Sequence, residues 1–290
     1  MPAVVARGVT VRYGRDAVLR QLDLDVGRGS CLALWGANGA GKTTAIRALI
    51  GLVPSDGEIV IAGTNLRKDP RALRRQVGHV AQRPGLYPDM TAGGLLRYLA
   101  ALRGLAEDVA ASRLAASGLA PMSHKRVGTL SGGMQRRLAL AGALLGDPPV
   151  LLLDEPSAGL DRSSRVAFLT ELASLRAEGK TIVLASHRED EVAALADGIL
   201  EIRAGHPGEP QAVDAWLASQ RAPVTIRLAV PAELIPRAEG ALAHHGFTVR
   251  GNSHGLEVEV AAGRRAEPLG VLARAGIRIA PGSDGPRDGG

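Results

Sequence analysis

The sequence predicts an α/β fold, opened by an antiparallel β subdomain, interrupted by a helical subdomain and followed by a small α+β domain. Three observations carry this prediction. From Gly41 onward, apolar runs with the length of buried parallel strands, such as VLLLDE and TIVLAS, alternate with helical patterns. Between residues 91 and 146, leucines and alanines recur at three- and four-residue spacing. Beyond Ile202 the composition shifts at the proline- and glycine-rich stretch RAGHPGEP.

In chain order, VVARGVTVRY and AVLRQLDLDV alternate apolar and polar residues and read as antiparallel strands leading into the buried strand CLALW. The helical segments LLRYLAALRGL, DVAASRLAASGL and GGMQRRLALAGALL form an inserted subdomain at about 85–146 of a core domain spanning 1–205. Residues 206–222 read as a linker. Residues 223–281 read as strand, helix, strand, strand, helix, strand, the βαββαβ order of a ferredoxin-like unit. The last segment, 282–290, has the composition of a disordered tail.

With 290 residues and 46% hydrophobic content, the chain can bury a sizeable core. Its formal charge of +6 is scattered. Arg74-Arg75, Arg136-Arg137 and Arg264-Arg265 are isolated pairs that read as solvated surface, so no nucleic-acid partner is expected. The single cysteine, Cys31, rules out an internal disulfide framework and reads as small core filler in a reducing compartment. No stretch reaches the roughly 18 uninterrupted apolar residues of a membrane span, so any membrane crossing is expected from another chain. His244, His245 and His254 raise a metal-site reading, but two adjacent histidines near a helix end and one in a turn fit an exposed regulatory or contact role better.

GANGAGKT, Gly36 to Thr43, fits GxxxxGK[ST] between the strand CLALW and the helix TTAIRALIGL, the setting of a phosphate-binding loop. Glycines let the backbone approach phosphate oxygens, and successive N–H groups then point at them. The expected set is Gly36, Asn38, Gly39, Gly41, Lys42, Thr43 and Thr44, with Lys42 reaching the β- and γ-phosphates and the Thr43 hydroxyl on Mg²⁺. Asp154, closing the apolar run VLLL, is the matching metal carboxylate. Glu155 follows it; a second acid is unnecessary for the metal, and its place at a strand end suits a general base for the attacking water.

A second anion-binding candidate is LSGGMQRRL, in which glycines open a helix whose unpaired N–H groups and dipole face outward. The order phosphate loop, HVAQ, LSGGMQ, LLLDEP, SAGLD, ASH resembles the ATP-binding cassette (ABC) ATPases over about residues 3–205, with Met134 interposed before Gln135. The segment RPGLYPDMTAGGLLRYLAALRGL is similar to exporter-type cassettes that serve separate ABC-2-like permeases, including those of cytochrome c maturation. The resemblance implies an ABC-type P-loop NTPase core that binds ATP and Mg²⁺ and hydrolyses ATP in a head-to-tail homodimer. Ser131, Gly132, Gly133 and Gln135 of one chain then cover nucleotide held by the other. It also implies that Tyr13 stacks on adenine, that Gln82 touches Mg²⁺ or the water, that His187 hydrogen-bonds the γ-phosphate, and that Asp161 lies in the loop joining the two sites.

By the same resemblance the chain is a cytoplasmic ATPase subunit, peripheral on the inner face of the cell membrane through integral permease chains, and it powers transport, with export favoured. The alternative is a soluble ABC ATPase acting on the ribosome or nucleic acid. A single phosphate loop counts against ribosome-associated cassettes, which generally carry two. The short interval between loop and signature counts against repair-type cassettes with long insertions.

Overall fold

Alternating burial along the first residues produces a long antiparallel pair, β1 (Pro2–Tyr13) against β2 (Asp16–Gly27). Val4, Ala6, Val9 and Val11 of β1 are buried with Leu19, Leu22 and Leu24 of β2. After β3 (Cys31–Trp35) and α1 (Lys42–Leu49), β4 (Asp56–Ile61) and β5 (Thr64–Asn65) complete a four-stranded sheet in the order β2-β1-β4-β5. Ile46 and Leu49 of α1 belong to the same apolar cluster as the buried faces of β1 and β2.

The computed structural model describes residues 2–252, 255–261, 264 and 267–277. They fall into two units, divided between Val213 and Asp214.

In the first unit α2 (Pro70–Arg75) precedes β6 (Val77–Val80), and three helices follow: α3 (Ala92–Leu102), α4 (Glu107–Ala116) and α5 (Gly132–Ala143). Leu95 and Leu96 of α3, Leu114 of α4 and Leu138 of α5 share one apolar cluster, so the inserted segment has a core of its own. Thr91 caps α3 by accepting from Gly94 N, and Glu107 and Asp108 complement the dipole of α4. The chain then alternates β7 (Val150–Asp154), α6 (Arg162–Ala177), β8 (Thr181–Ser186), α7 (Glu189–Leu195) and β9 (Gly198–Arg203). The resulting sheet contains the run β9-β3-β8-β7-β6, and all five of these strands are parallel. Leu151, Leu152, Leu153, Val183 and Leu184 are fully buried, as expected for central strands covered on both faces.

The expected linker at 206–222 is corrected. RAGHPGEP folds as a hairpin: Ala204 and Gly205 turn with φ of 48° and 81°, and β10 (His206–Pro207) returns along β9. β11 (Gln211–Ala212) also pairs with β9, and α8 (Val213–Arg221) follows directly. Proline and glycine serve here as turn and edge-strand residues, because an outer strand needs few N–H donors.

In the second unit β12 (Pro223–Leu228), α9 (Ile235–His244), β13 (Thr248–Asn252), β14 (Gly255–Ala261) and α10 (Glu267–Arg274) follow α8. The sheet order is β12-β14-β13, antiparallel throughout, so α9 joins two strands that flank a third. Ala238, Leu242, Val271 and Leu272 of the helices pack with Leu228, Leu256 and Val258 of the sheet. Most of the expected final strand IRIA, the tail at 282–290, His254 and Arg265 lie outside the described residues. Among the described residues no helix is long and apolar enough to cross a membrane, and no group of three or more His, Cys, Asp or Glu could hold a metal ion.

Candidate active site

Parallel strands carry their functional groups at their carboxyl ends, and four such ends meet here. The register pairs Val80 with Leu153, Asp154 with Ala185, and Trp35 with Ser186. Residues just beyond these pairs therefore converge: the phosphate loop after β3, Gln82 after β6, Glu155 after β7 and His187 after β8.

The loop after Trp35 closes on α1 with Gly41 as N-cap, and no acidic residue occupies the first turn of that helix. Its positive end is left for an anion. A Cβ on Gly36 would stand 2.3 Å from the Ile202 carbonyl oxygen, so only glycine fits there. Asn38 and Gly39 are exposed at the rim, while Lys42 is buried at the centre. Lys42 Nζ donates to the carbonyls of Gly36 at 2.7 Å and Ala37 at 3.0 Å, and lies 3.7 Å from Glu155 Oε1. Burial lowers its pKa from the ordinary lysine value, against the pull of Glu155 and Asp154. A cation held by two carbonyls beside a carboxylate can also take an anionic partner.

Thr43 Oγ1 donates to Asp154 Oδ1 at 3.0 Å. Burial raises the Asp154 pKa, with the Thr43 hydrogen bond opposing the shift. A buried carboxylate beside a hydroxyl is a hard-oxygen donor pair of the kind that suits Mg²⁺.

Glu155, 9% exposed, has its carboxylate between two side chains. Gln82 Nε2 donates to Oε2 at 2.7 Å, and His187 Nδ1 stands 3.1 Å from Oε1. Its backbone lies in the left-handed region at φ 44°, an arrangement that costs about 1–3 kcal/mol for a residue with a side chain. The bond from Glu155 N to Ala185 O at 2.9 Å helps hold it.

The signature segment begins α5. Ser131 is exposed and caps the helix by accepting from Met134 N at 3.3 Å, and the first turn again contains no acid. A Cβ on Gly132 would meet nothing within 4 Å, whereas one on Gly133 would meet the Ser164 side chain at 3.1 Å. Gln135 directs Nε2 to the carbonyls of Val127 and Leu130, each at 3.2 Å. Asp161 caps α6; the Ser164 N–H, then the Ser163 and Ser164 hydroxyls, hold its carboxyl well below the usual range. Tyr13 is 48% exposed at the end of β1. Among the described residues no hydrogen bond joins Ser131, Asp161 or Tyr13 to Lys42, Asp154 or Glu155.

The ABC transporter family model matches residues 19–158. Nod factor export ATP-binding protein I of Burkholderia orbicola is 40% identical over 215 residues, 71% of each chain. This chain belongs to the family of ABC transporter ATP-binding subunits. The corresponding Cupriavidus pinatubonensis protein is 39% identical over 71% of this chain and 66% of its own length, so the match spans just under two thirds of that relative. Among solved structures, cbiO1 from Clostridium perfringens, part of the ABC transporter complex cbiONQ, is 26% identical with a TM-score of 0.68, covering 84% of this chain and 97% of that one. ABC transporter ATP-binding subunits are ATPases that work with membrane permease subunits.

Two groups in this ABC ATPase were not legible as site residues. Arg136, read above as solvated, is 7% exposed; its guanidinium donates to the carbonyls of Ala81 at 2.9 Å, Gln82, and Ala158 at 3.3 Å. It thereby ties the signature helix to the loops after β6 and β7. Glu191, 1% exposed, accepts from the hydroxyls of Ser157 and Ser186. The first-turn run Glu189-Asp190-Glu191 resembles an ordinary acidic helix start, which hides the buried member.

Proposed function

We propose that two copies of this chain bind Mg-ATP head to tail and hydrolyse it to drive export through separate permease chains, on the inner face of the membrane. The observation that carries the hydrolytic reading is the Glu155 carboxylate, adjoining Gln82, His187 and Lys42 at the ends of parallel strands.

In this reading Lys42 and the loop N–H groups hold the β- and γ-phosphates. Thr43 and Asp154, with Gln82 nearby, would hold Mg²⁺, which when bound neutralises phosphate oxygens. Glu155 orients a water and takes its proton as the water oxygen attacks the γ-phosphorus and the bond to the bridging oxygen of ADP breaks. His187 donates to the γ-phosphate, and Tyr13 offers its exposed ring to adenine. Ser131, Gly132 and Gly133 of the second copy close the site with the open end of α5, while Asp161 sits where the two copies meet. Two anion-ready helix ends in one chain, α1 and α5, support this pairing. The second unit is read as a ferredoxin-like accessory domain. The export names of the relatives favour transport over a ribosomal or nucleic-acid role.

The test is Glu155→Gln. Turnover falls by about 10²–10⁴-fold, the range for loss of a general base, while ATP binding persists and size-exclusion chromatography shows an ATP-dependent dimer. Wild-type hydrolysis by this variant refutes the assignment. Co-purification of the chain with a polytopic membrane protein tests the permease arm.

A further inference from the structure

Glu155 and His187 stand on different strand ends, and each has a buried serine close to it in sequence. Ser157 lies two residues after Glu155 and is 2% exposed; Ser186 lies immediately before His187 and is 1% exposed. Both hydroxyls donate to one carboxylate, that of Glu191: Ser157 to Oε1, and Ser186 to Oε2 at 2.6 Å. Ser186 Oγ also accepts from Arg188 N at 3.0 Å, and Arg188 Nε stands 3.7 Å from Glu191 Oε1. Glu191 thus spans the two segments that present the base and the histidine.

Apolar side chains would fill this place at lower desolvation cost, and α7 already has Val192 and Leu195 buried for packing. Charge-assisted hydroxyl–carboxylate bonds are short and directional, so they set a distance in a way that packing does not. The distance at stake is the 3.1 Å between His187 Nδ1 and Glu155 Oε1, next to a backbone turned to φ 44°. We infer that Glu191 is a positioning residue: by clamping Ser157 and Ser186 it holds His187 in register with Glu155, and so governs turnover rather than nucleotide affinity. The inference rests on the hydrolytic reading of Glu155 and His187 given above.

A double-mutant cycle tests it, using single-turnover ATP hydrolysis and titration with a fluorescent ATP analogue on the full chain. Glu191→Ala should slow turnover by roughly 10–100-fold while affinity stays within about threefold, the signature of an interaction needed in the transition state. In a His187→Ala background the same change should cost less than about threefold, because groups acting through one another are non-additive. The paired change Ser157→Ala and Ser186→Ala should reproduce both results; it removes only two hydroxyls and carries the cycle if Glu191→Ala fails to fold. Equal losses in both backgrounds, or affinity falling in step with turnover, overturn the inference and leave the hydrolytic reading intact. A His187→Ala protein with wild-type turnover overturns the inference and the assignment of His187 together.

Discussion

Gln82 donates a 2.7 Å hydrogen bond to Glu155 across 73 positions of sequence. The strand register explains it: Val80 faces Leu153, so the residues two steps further on, Gln82 and Glu155, face each other beyond the sheet. The loop holding Gln82 is in turn bonded to the Arg136 guanidinium of α5. Arg136 of α5, the Gln82 loop and the Glu155 carboxylate therefore form one continuous run of hydrogen-bonded groups.

Ser131→Arg should leave ATP binding by the single chain near wild type and abolish the ATP-dependent dimer, because the side chain fills the exposed tip of α5. Ser131→Ala is the control: it loses the cap, about 1 kcal/mol of stability, and still dimerises. A normal ATP-dependent dimer of Ser131→Arg on size-exclusion chromatography refutes the covering role of this helix end.

Arg136→Met should destabilise the protein by about 2–3 kcal/mol in a denaturant titration, because it strands carbonyls that a charged donor had satisfied. Turnover should fall with it, as the Gln82 loop loses its tether. Arg136→Lys should recover only part of either, since an ammonium lacks the planar fork that reaches the loops on both sides. Full rescue by lysine argues against the tether.

Asp154 links stability to pH. Burial raises its folded-state pKa above the ordinary value, so the folded state binds the proton more tightly and stability falls as pH rises through that window. The loss grows as pH rises above the ordinary carboxylate range. Asp154→Asn should therefore melt higher than wild type without nucleotide at about pH 7, and the gain should shrink as pH falls toward about 4. Its Mg²⁺-dependent ATP turnover should be lost. Thermal melts across that range check the first part; a gain independent of pH contradicts the linkage.

Cys31 is 1% exposed, and burial pushes its thiol pKa up to about 12. Disulfide exchange with a chromogenic thiol reagent near neutral pH should be undetectable in the native protein and complete after denaturation. Prompt native labelling would show that the end of β3 opens far more often than its burial implies.

Local motifs were legible because their chemistry needs neighbours in sequence. The phosphate loop requires glycines and a lysine within a few residues, and the Asp154-Glu155 pair follows a short apolar run with the length of a buried strand. Three- and four-residue spacing likewise exposed α3, α4 and α5, since a helix face repeats along the chain. The proline- and glycine-rich stretch after Ile202 misled, because turn residues mark a hairpin and a linker alike.

What only tertiary structure decided is which groups meet. Strands β6, β7 and β8 pair in chain order but across long intervening segments, and β3 joins them only by pairing with β8, so no spacing in the sequence measures the distances from Gln82, His187 and Lys42 to Glu155. Arg136 and Glu191 were hidden for the same reason. A charged side chain at a helix start looks solvated until the fold brings carbonyls or hydroxyls around it, and that surrounding is set by long-range packing rather than by any local pattern.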